Sequence, residues 1–244
     1  GGLHEGPVTP AGAKPVYKKN GVLAWAVTHA ALFMGFATGV LGARDLPLRY
    51  GELLVTLVLA AYVLCAALYL KAILAPNSAD RVRTGYHLFD FFQGIELHPV
   101  AFGTSLKQLV NCRISMMGWS ALVVAMCAHQ LETLGRISSG LLVSSFLLQV
   151  YLLKFFVWET GYFASLDVMH DRFGYYICWG VLAWVPAIYP SAQLFLLVHP
   201  RDLSIPAIIA ILVGGTAAIA MNYAADAQRQ RVRHARMQAR EVTV

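Results

Sequence analysis

The sequence predicts an all-α fold: a polytopic transmembrane helical bundle with about six spans. Three observations carry that expectation. Charged residues make up only 13% of the 244 and apolar residues 58%, whereas soluble domains carry roughly a quarter charged residues. So little charge cannot cover a water-facing surface. Six stretches (22–43, 53–70, 114–131, 137–153, 173–200 and 203–225) hold no Asp, Glu, Lys or Arg. Each is near or above the ~17–25 residues that a helix needs to cross ~30 Å of hydrocarbon. The basic residues are also unevenly placed. With the C-terminal tail in the cytosol, fifteen of the nineteen Lys and Arg fall on that side, and only Arg44, Arg49, Arg136 and Arg201 on the other. That is the positive-inside asymmetry, and it reads the net charge of +6 as membrane topology and not as nucleic-acid binding.

Residues 1–20, broken by Gly6, Pro7, Pro10, Gly12 and Pro15, cannot hold a helix and are expected as an extended cytosolic lead-in. Helices at about 21–43 and 52–75 follow, joined by a short loop containing Pro47. The connection over 76–112 is the longest. Its stretch from Gly85 to Pro99 interleaves Asp90, Glu96, His87 and His98 with Tyr86, Phe89, Phe91 and Phe92. It is too apolar for a solvated loop and too polar for a span, so it is expected to lie in the membrane interface or to re-enter against protein. Helices at about 113–130 and 137–157 come next, then a second mixed stretch from Trp158 to Tyr176. The following span is interrupted by Pro186 and Pro190, which kink or break it. The last span, 203–225, runs into a basic tail over 226–244, so that 21–225 reads as one transmembrane core.

Cys65, Cys112, Cys127 and Cys178 lie in or beside apolar spans without a C-x-x-C pair and read as small packing residues. Gly35-x-x-x-Gly39 has the spacing of a close helix–helix contact. No two histidines are three or four apart, so no metal site is expected, and no glycine-rich nucleotide loop is present. The chain lacks an initiator Met and ends abruptly, and it reads as an internal fragment. No signal peptide is visible.

The two mixed stretches carry the chemistry. Asp90, Glu96, Glu159, Asp167 and Asp171 all fall near membrane depth on the basic side. Ionisable groups there are costly unless paired or functional. Each alone reads as well as structural glue to Arg81, Arg83, Arg113 or Arg172 as it does as a site residue. Together, among aromatic residues, they read as a pocket. Tyr151 and Lys154 add polar groups expected to face the same junction, a turn or two from Glu159. In the tail, Arg229, Arg233, Arg236 and Arg240 share one helical face. That stripe suits anionic lipid or bidentate capture of phosphates.

These motifs resemble one family. Gly85-x-x-Leu88-Phe89-Asp90-x-Phe92-x-Gly94-x-x-Leu97-x-Pro99 resembles the first signature of the sterol reductases, and further matches follow in order: Asn111-Cys112-Arg113, Met116-Met117-Gly118-Trp119, Glu159, Asp167, His170 to Gly180, Trp184-Val185-Pro186, His199-Pro200 and Asn222-Tyr223. The resemblance is strongest to the delta-7 type of plants. It implies about ten transmembrane helices in a whole family member, with the first one or two and the region completing the cofactor pocket missing from this chain. It further implies NADPH as cofactor, with Arg229 and Arg233 at the cofactor-binding positions, and a multi-pass protein of the endoplasmic reticulum membrane. The implied partners are sterol drawn from the bilayer, membrane lipids and other sterol-biosynthesis enzymes, with no nucleic acid.

The implied reaction reduces the 7,8 double bond of a 5,7-diene sterol. A bare carbon–carbon double bond accepts hydride poorly, so a proton adds at carbon 8, the cation at carbon 7 is delocalised by the remaining double bond, and hydride adds at carbon 7. The protein must hold an acid at the end of an apolar pocket. Tyr151, Glu159, Asp167 and Asp171 are the candidate catalytic residues, with Tyr175 and Tyr176 expected near the cation. A delta-14 reductase, or a non-catalytic sterol-binding membrane protein, are the alternatives.

Overall fold

A computed structural model describes residues 2–43 and 45–241, apart from the side chains at 45, 46, 234 and 236–241. Arg44 and the side chains of Arg236 and Arg240 thus lie outside the described residues. The helices are α1 (Gly21–Ala37), α2 (Asp45–Leu48), α3 (Tyr50–Leu74), α4 (His87–Gln93), α5 (Leu106–Leu134), α6 (Ser139–Val157), α7 (Glu159–Tyr162), α8 (Leu166–Met169), α9 (Tyr175–Val198) and α10 (Ile205–Glu241). Two small hairpins pair β1 (Leu3–Glu5) with β2 (Val16–Lys18) and β3 (Val100–Ala101) with β4 (Thr104–Ser105).

Helices α3, α5, α6, α9 and α10 are long and apolar enough to cross a membrane. The expected first span is shorter than its charge-free run, because α1 stops at Ala37 after 17 residues. Gly39 explains the stop. It takes φ +72°, its N–H reaches the Phe36 carbonyl, and the Leu41 N–H reaches the Gly35 carbonyl. A left-handed glycine closing the last turn is a helix terminator, so Gly39 ends a helix where its spacing from Gly35 suggested packing between helices.

The bundle is built around α5, the most buried of the spans. Helix α5 packs against α1, α6 and α9, while α3 packs on α9 and α10 on α6. Both α5 (Leu109–Met116) and α9 (Gly180–Trp184) carry π-helical turns that lie against each other. The Ser115 hydroxyl donates to the Val181 carbonyl across them at 2.6 Å. Widened turns of this kind re-aim side chains and often mark functional regions. Deeper in the apolar layer, His29 of α1, Ser120 of α5 and Gln149 of α6 form one hydrogen-bonded knot, with His29–Ser120 2.9 Å apart and Ser120 donating to Gln149 at 2.6 Å. Satisfying these groups within the bundle ties the three helices together, since lipid offers them no partner.

All four charged segments meet at one end of the bundle. The lead-in, expected as an extended segment, holds no helix but folds back as the β1–β2 hairpin and is docked: Tyr17 is buried, stacks on Phe163 at 4.2 Å and is hydrogen-bonded to His98 at 3.2 Å. The tail continues α10 without a break.

Candidate functional site at the polar end

The first mixed stretch is a self-satisfied loop. Glu96, 3% exposed, accepts from Lys71 Nζ at 2.7 Å and from the N–H groups of Asn77 and Ser78 at 2.7 and 2.9 Å. Asp90 accepts from the Thr84 hydroxyl at 2.7 Å and from the Thr84 and Gly85 N–H groups. Burial opposes its charge, but these donors and nearby Arg83 outweigh it and hold the carboxyl below the usual range. Glu96 thus holds backbone and pairs with Lys71, and Asp90 holds backbone and the Thr84 hydroxyl. The stretch is then pressed onto the second one: a Cβ on Gly94 (φ +89°) would lie 2.5 Å from the Gly174 nitrogen, and the Phe173 N–H donates to the Glu96 carbonyl at 3.1 Å.

Glu159 sits in an ion pair. Arg113 donates through Nη1 to one carboxylate oxygen and through Nη2 to the other at 3.0 Å, and reaches Asn20 at 2.9 Å. Asn20 precedes α1, so the pair joins the starts of α1, α5 and α7. This is a buried bidentate contact of the strong kind.

Asp167 and Asp171 lie together around Lys107, one of the basic residues behind the positive-inside asymmetry. Lys107, 1% exposed, donates to the Val168 carbonyl at 2.8 Å and to the Asp171 carbonyl. Burial and the neighbouring Asp171 raise the Asp167 carboxyl above its ordinary range, partly offset by Lys107. The Tyr176 hydroxyl is buried beside Asp171 and Gln93 without a hydrogen bond of normal geometry. No local pattern singles out Lys107, since Gln108, Asn111 and Arg113 follow it before the charge-free stretch begins.

Tyr151 and Lys154 do not face Glu159. Residues 151, 154 and 158 lie along the α10-facing side of α6, whereas the chain leaves helical geometry at Trp158 (φ −98°, ψ 16°) and turns Glu159 toward α1. The Tyr151 ring packs against Trp119 at 6.3 Å, and Lys154 Nζ lies 5.4 Å from its centroid. Lys154 donates to Asn222 at 2.7 Å and Asp226 at 2.9 Å, and the Trp158 indole donates to Gln230 at 2.8 Å. One helical turn beyond Asp226, Arg229 is 70% exposed and ion-paired to that acid at 3.6 Å. Arg233 donates to the Ala164 carbonyl, in the turn before α8. Tyr175 and Tyr176 pack elsewhere, with Tyr62, Phe91 and Phe92.

An apolar cavity of about 420 Å³ opens between α1, α3, α5 and α9; Leu32, Leu57, Gly118, Trp119, Leu122 and Leu182 are among its walls. Trp119 thus lines the cavity and also packs on Tyr151, which is not itself among the cavity's walls. Contacts run from the apolar chamber to an aromatic wall, a phenol, a cation and a guanidinium at the polar end. Trp119 closes the Met116–Trp119 motif, but its place in the wall is a product of packing.

A family model for the Ergosterol biosynthesis ERG4/ERG24 family matches residues 1–243. The chain is 41% identical over 230 residues to the 7-dehydrocholesterol reductase of Arabidopsis thaliana, covering 94% of this chain and 53% of that protein. It is 30% identical over 222 residues to the 7-dehydrocholesterol reductase of Xenopus laevis, covering 88% and 46%. The Delta(14)-sterol reductase of Methylotuvimicrobium alcaliphilum is 29% identical over 230 residues, with 94% and 53% covered. The chain spans about half the length of these relatives. A helical membrane bundle whose sequence matches that family from end to end belongs to it: the chain is a member of the ERG4/ERG24 family of sterol reductases.

Proposed function

We propose that this chain is the sterol-holding half of an NADPH-dependent reductase of the 7,8 double bond in 5,7-diene sterols, in the endoplasmic reticulum membrane with its basic tail in the cytosol. One observation carries the reading: Tyr151 stands between the wall of the apolar cavity and the Lys154–Asp226 pair that anchors the arginine-bearing helix. The 7-dehydrocholesterol reductase of Arabidopsis thaliana, at 41% identity, favours the delta-7 position over delta-14.

The sterol ring system enters the cavity from lipid, where burial of its apolar surface supplies the binding. With the Trp119 ring turned aside, Tyr151, which does not itself line the cavity, donates the proton to carbon 8, and Lys154 stabilises the negative charge left on its oxygen. The Trp119 ring faces the cation at carbon 7. Glu159, held by Arg113, positions α1 against α5, and Asp167 and Asp171 with Lys107 form a polar layer beneath the site. NADPH supplies the hydride when bound. The described residues fit its phosphates: Arg229 presents an exposed guanidinium, and Arg233 lies one turn along the same face with one nitrogen committed to Ala164.

In the full-length protein that carries this chain, Tyr151→Phe should lower turnover of a 5,7-diene sterol by about 10²–10⁴-fold while sterol binding persists. Turnover close to that of the unmodified protein would remove Tyr151 as the donor. Preferential reduction of a delta-14 sterol would replace the delta-7 reading. Sterol binding without NADPH consumption would make the protein a binding module.

A further inference from the structure

Helix α4 is built inside out. Its acid, Asp90, is 2% exposed and locked to Thr84 and Gly85, whereas Leu88 is 83% exposed, Phe89 51% and Phe92 49%, with Tyr86 just before the helix at 77%. On α3 or α10 such exposure means contact with lipid tails. Helix α4 has seven residues and lies outside every span, so it cannot be lipid-facing in that way. Arg81 and Arg83 are exposed immediately before it.

The β3–β4 hairpin makes the same presentation. Its register, Val100 opposite Ser105 and Ala101 opposite Thr104, leaves a two-residue turn of Phe102 and Gly103 at φ +51° and +67°. Turns of that type favour Asn-Gly, because an L side chain with a Cβ is strained there. Here the first turn position carries a phenylalanine, and it is fully exposed. Helix α5 starts at Leu106, and a groove of about 450 Å³ beside Phe102 is lined by Ala24 of α1 and Leu109 of α5 together with Lys18. The hairpin therefore sits beside the starts of two apolar helices, of which α5 is long enough to span.

We propose that α4 and the β3–β4 hairpin are interfacial anchors that insert Leu88, Phe89 and Phe102 into the boundary between headgroups and acyl chains of an anionic phospholipid bilayer. Arg81, Arg83 and Lys18 sit at headgroup level. An apolar face flanked by basic residues, too short to span, is the form that lies in the interface plane, and aromatic residues concentrate at that depth. The anchors flank Gly94 and Lys107, so they fix how deep the polar layer rides in the membrane. The inference does not depend on the proposed activity.

The test uses the full chain reconstituted in vesicles of phosphatidylcholine and phosphatidylglycerol, with a nitroxide at Leu88→Cys or at Phe102→Cys. Cys65, Cys112 and Cys178 are buried, and the half-buried Cys127 is replaced by Ala. Both probes should be relaxed far more by oxygen than by a water-soluble nickel chelate, at a depth of about 5–10 Å below the phosphates. A probe at the exposed Ala235 of the basic tail should show the reverse. Nickel accessibility at Leu88 and Phe102 equal to that at Ala235 overturns the proposal. So does protection from both reagents, which would mean that protein covers these faces. Phe89→Cys supplies a third position should either first variant fold poorly.

Discussion

Lys154 of α6 donates to Asp226 of α10 at 2.9 Å, with both side chains largely withdrawn from solvent. Helix α10 otherwise packs on little besides α6 and α7, and none of its apolar window is buried. This pair, with Trp158–Gln230 and Arg233–Ala164, therefore sets where the arginines stand relative to Tyr151.

Replacing Lys154 with Met should loosen the tail more than the bundle. A partly buried charge pair loses roughly 1–3 kcal/mol on truncation of one side. Trypsin cleavage after Arg229 and Arg231 should accelerate several-fold while thermal unfolding of the bundle stays nearly unchanged. Lys154→Met with Asp226→Asn should cost less than the two single losses added together.

Arg229→Ala and Arg233→Ala in the full-length protein should raise the Michaelis constant for NADPH by about tenfold or more, since a charge-assisted hydrogen bond is worth roughly 1.5–3 kcal/mol. If the two guanidiniums hold the 2′-phosphate, the constant for NADH should move far less. An equal change for both cofactors would place them on the pyrophosphate.

Breaking the Arg113–Glu159 pair is a stability experiment. Arg113→Met leaves a 3%-exposed carboxylate unpaired, a loss of about 3–5 kcal/mol. At roughly 2–4 °C per kcal/mol for a chain of this size, the midpoint should fall by about 10 °C. Reaction of the buried Cys112 with a thiol dye during heating reads it directly.

Gly94→Ala places a Cβ against the Gly174 backbone at a φ that L residues avoid. The two mixed stretches must then separate, which should cost about 2–4 kcal/mol. Gly180→Ala, with no atom within 4 Å of the new Cβ, should be close to neutral in the same dye assay.

Acid should destabilise the polar end through His98. Burial, with nearby Lys107, lowers its pKa from 6.5 to about 4, against a smaller opposing effect of Asp80. The unfolded chain then binds the proton first, so stability rises with pH between about 4 and 6.5 and is flat above. The full effect is about 3.5 kcal/mol, at ~1.4 kcal/mol for each pH unit of the window. Asp167, whose carboxyl is raised, contributes the opposite slope just above pH 3.8. Unfolding of the His98→Asn variant, followed from pH 7 to pH 4, should lose most of the rise.

The interfacial character expected for Gly85–Pro99 and the locked acids follow from different information. An acid among aromatics at membrane depth has to find donors, so a partner was predictable. Which partner was not: Glu96 took Lys71, beyond the arginines considered, because the loop folds back on the end of α3. Likewise, spacing on α6 put Tyr151 and Lys154 on one face, but the turn at Trp158 sent Glu159 to another.

The sequence by itself determined the membrane class, the helical bundle, the family and the continuity of the basic tail. Each follows from local composition, period or motif, because hydrocarbon demands long charge-free helices and satisfied backbone wherever the chain crosses it. Only the tertiary structure decided that Tyr151 backs the cavity wall, that Lys107 lies under Asp167 and Asp171, and that Gly94 meets Gly174. Those contacts join residues dozens of positions apart, and their geometry is set by how neighbouring helices pack, which no local pattern encodes.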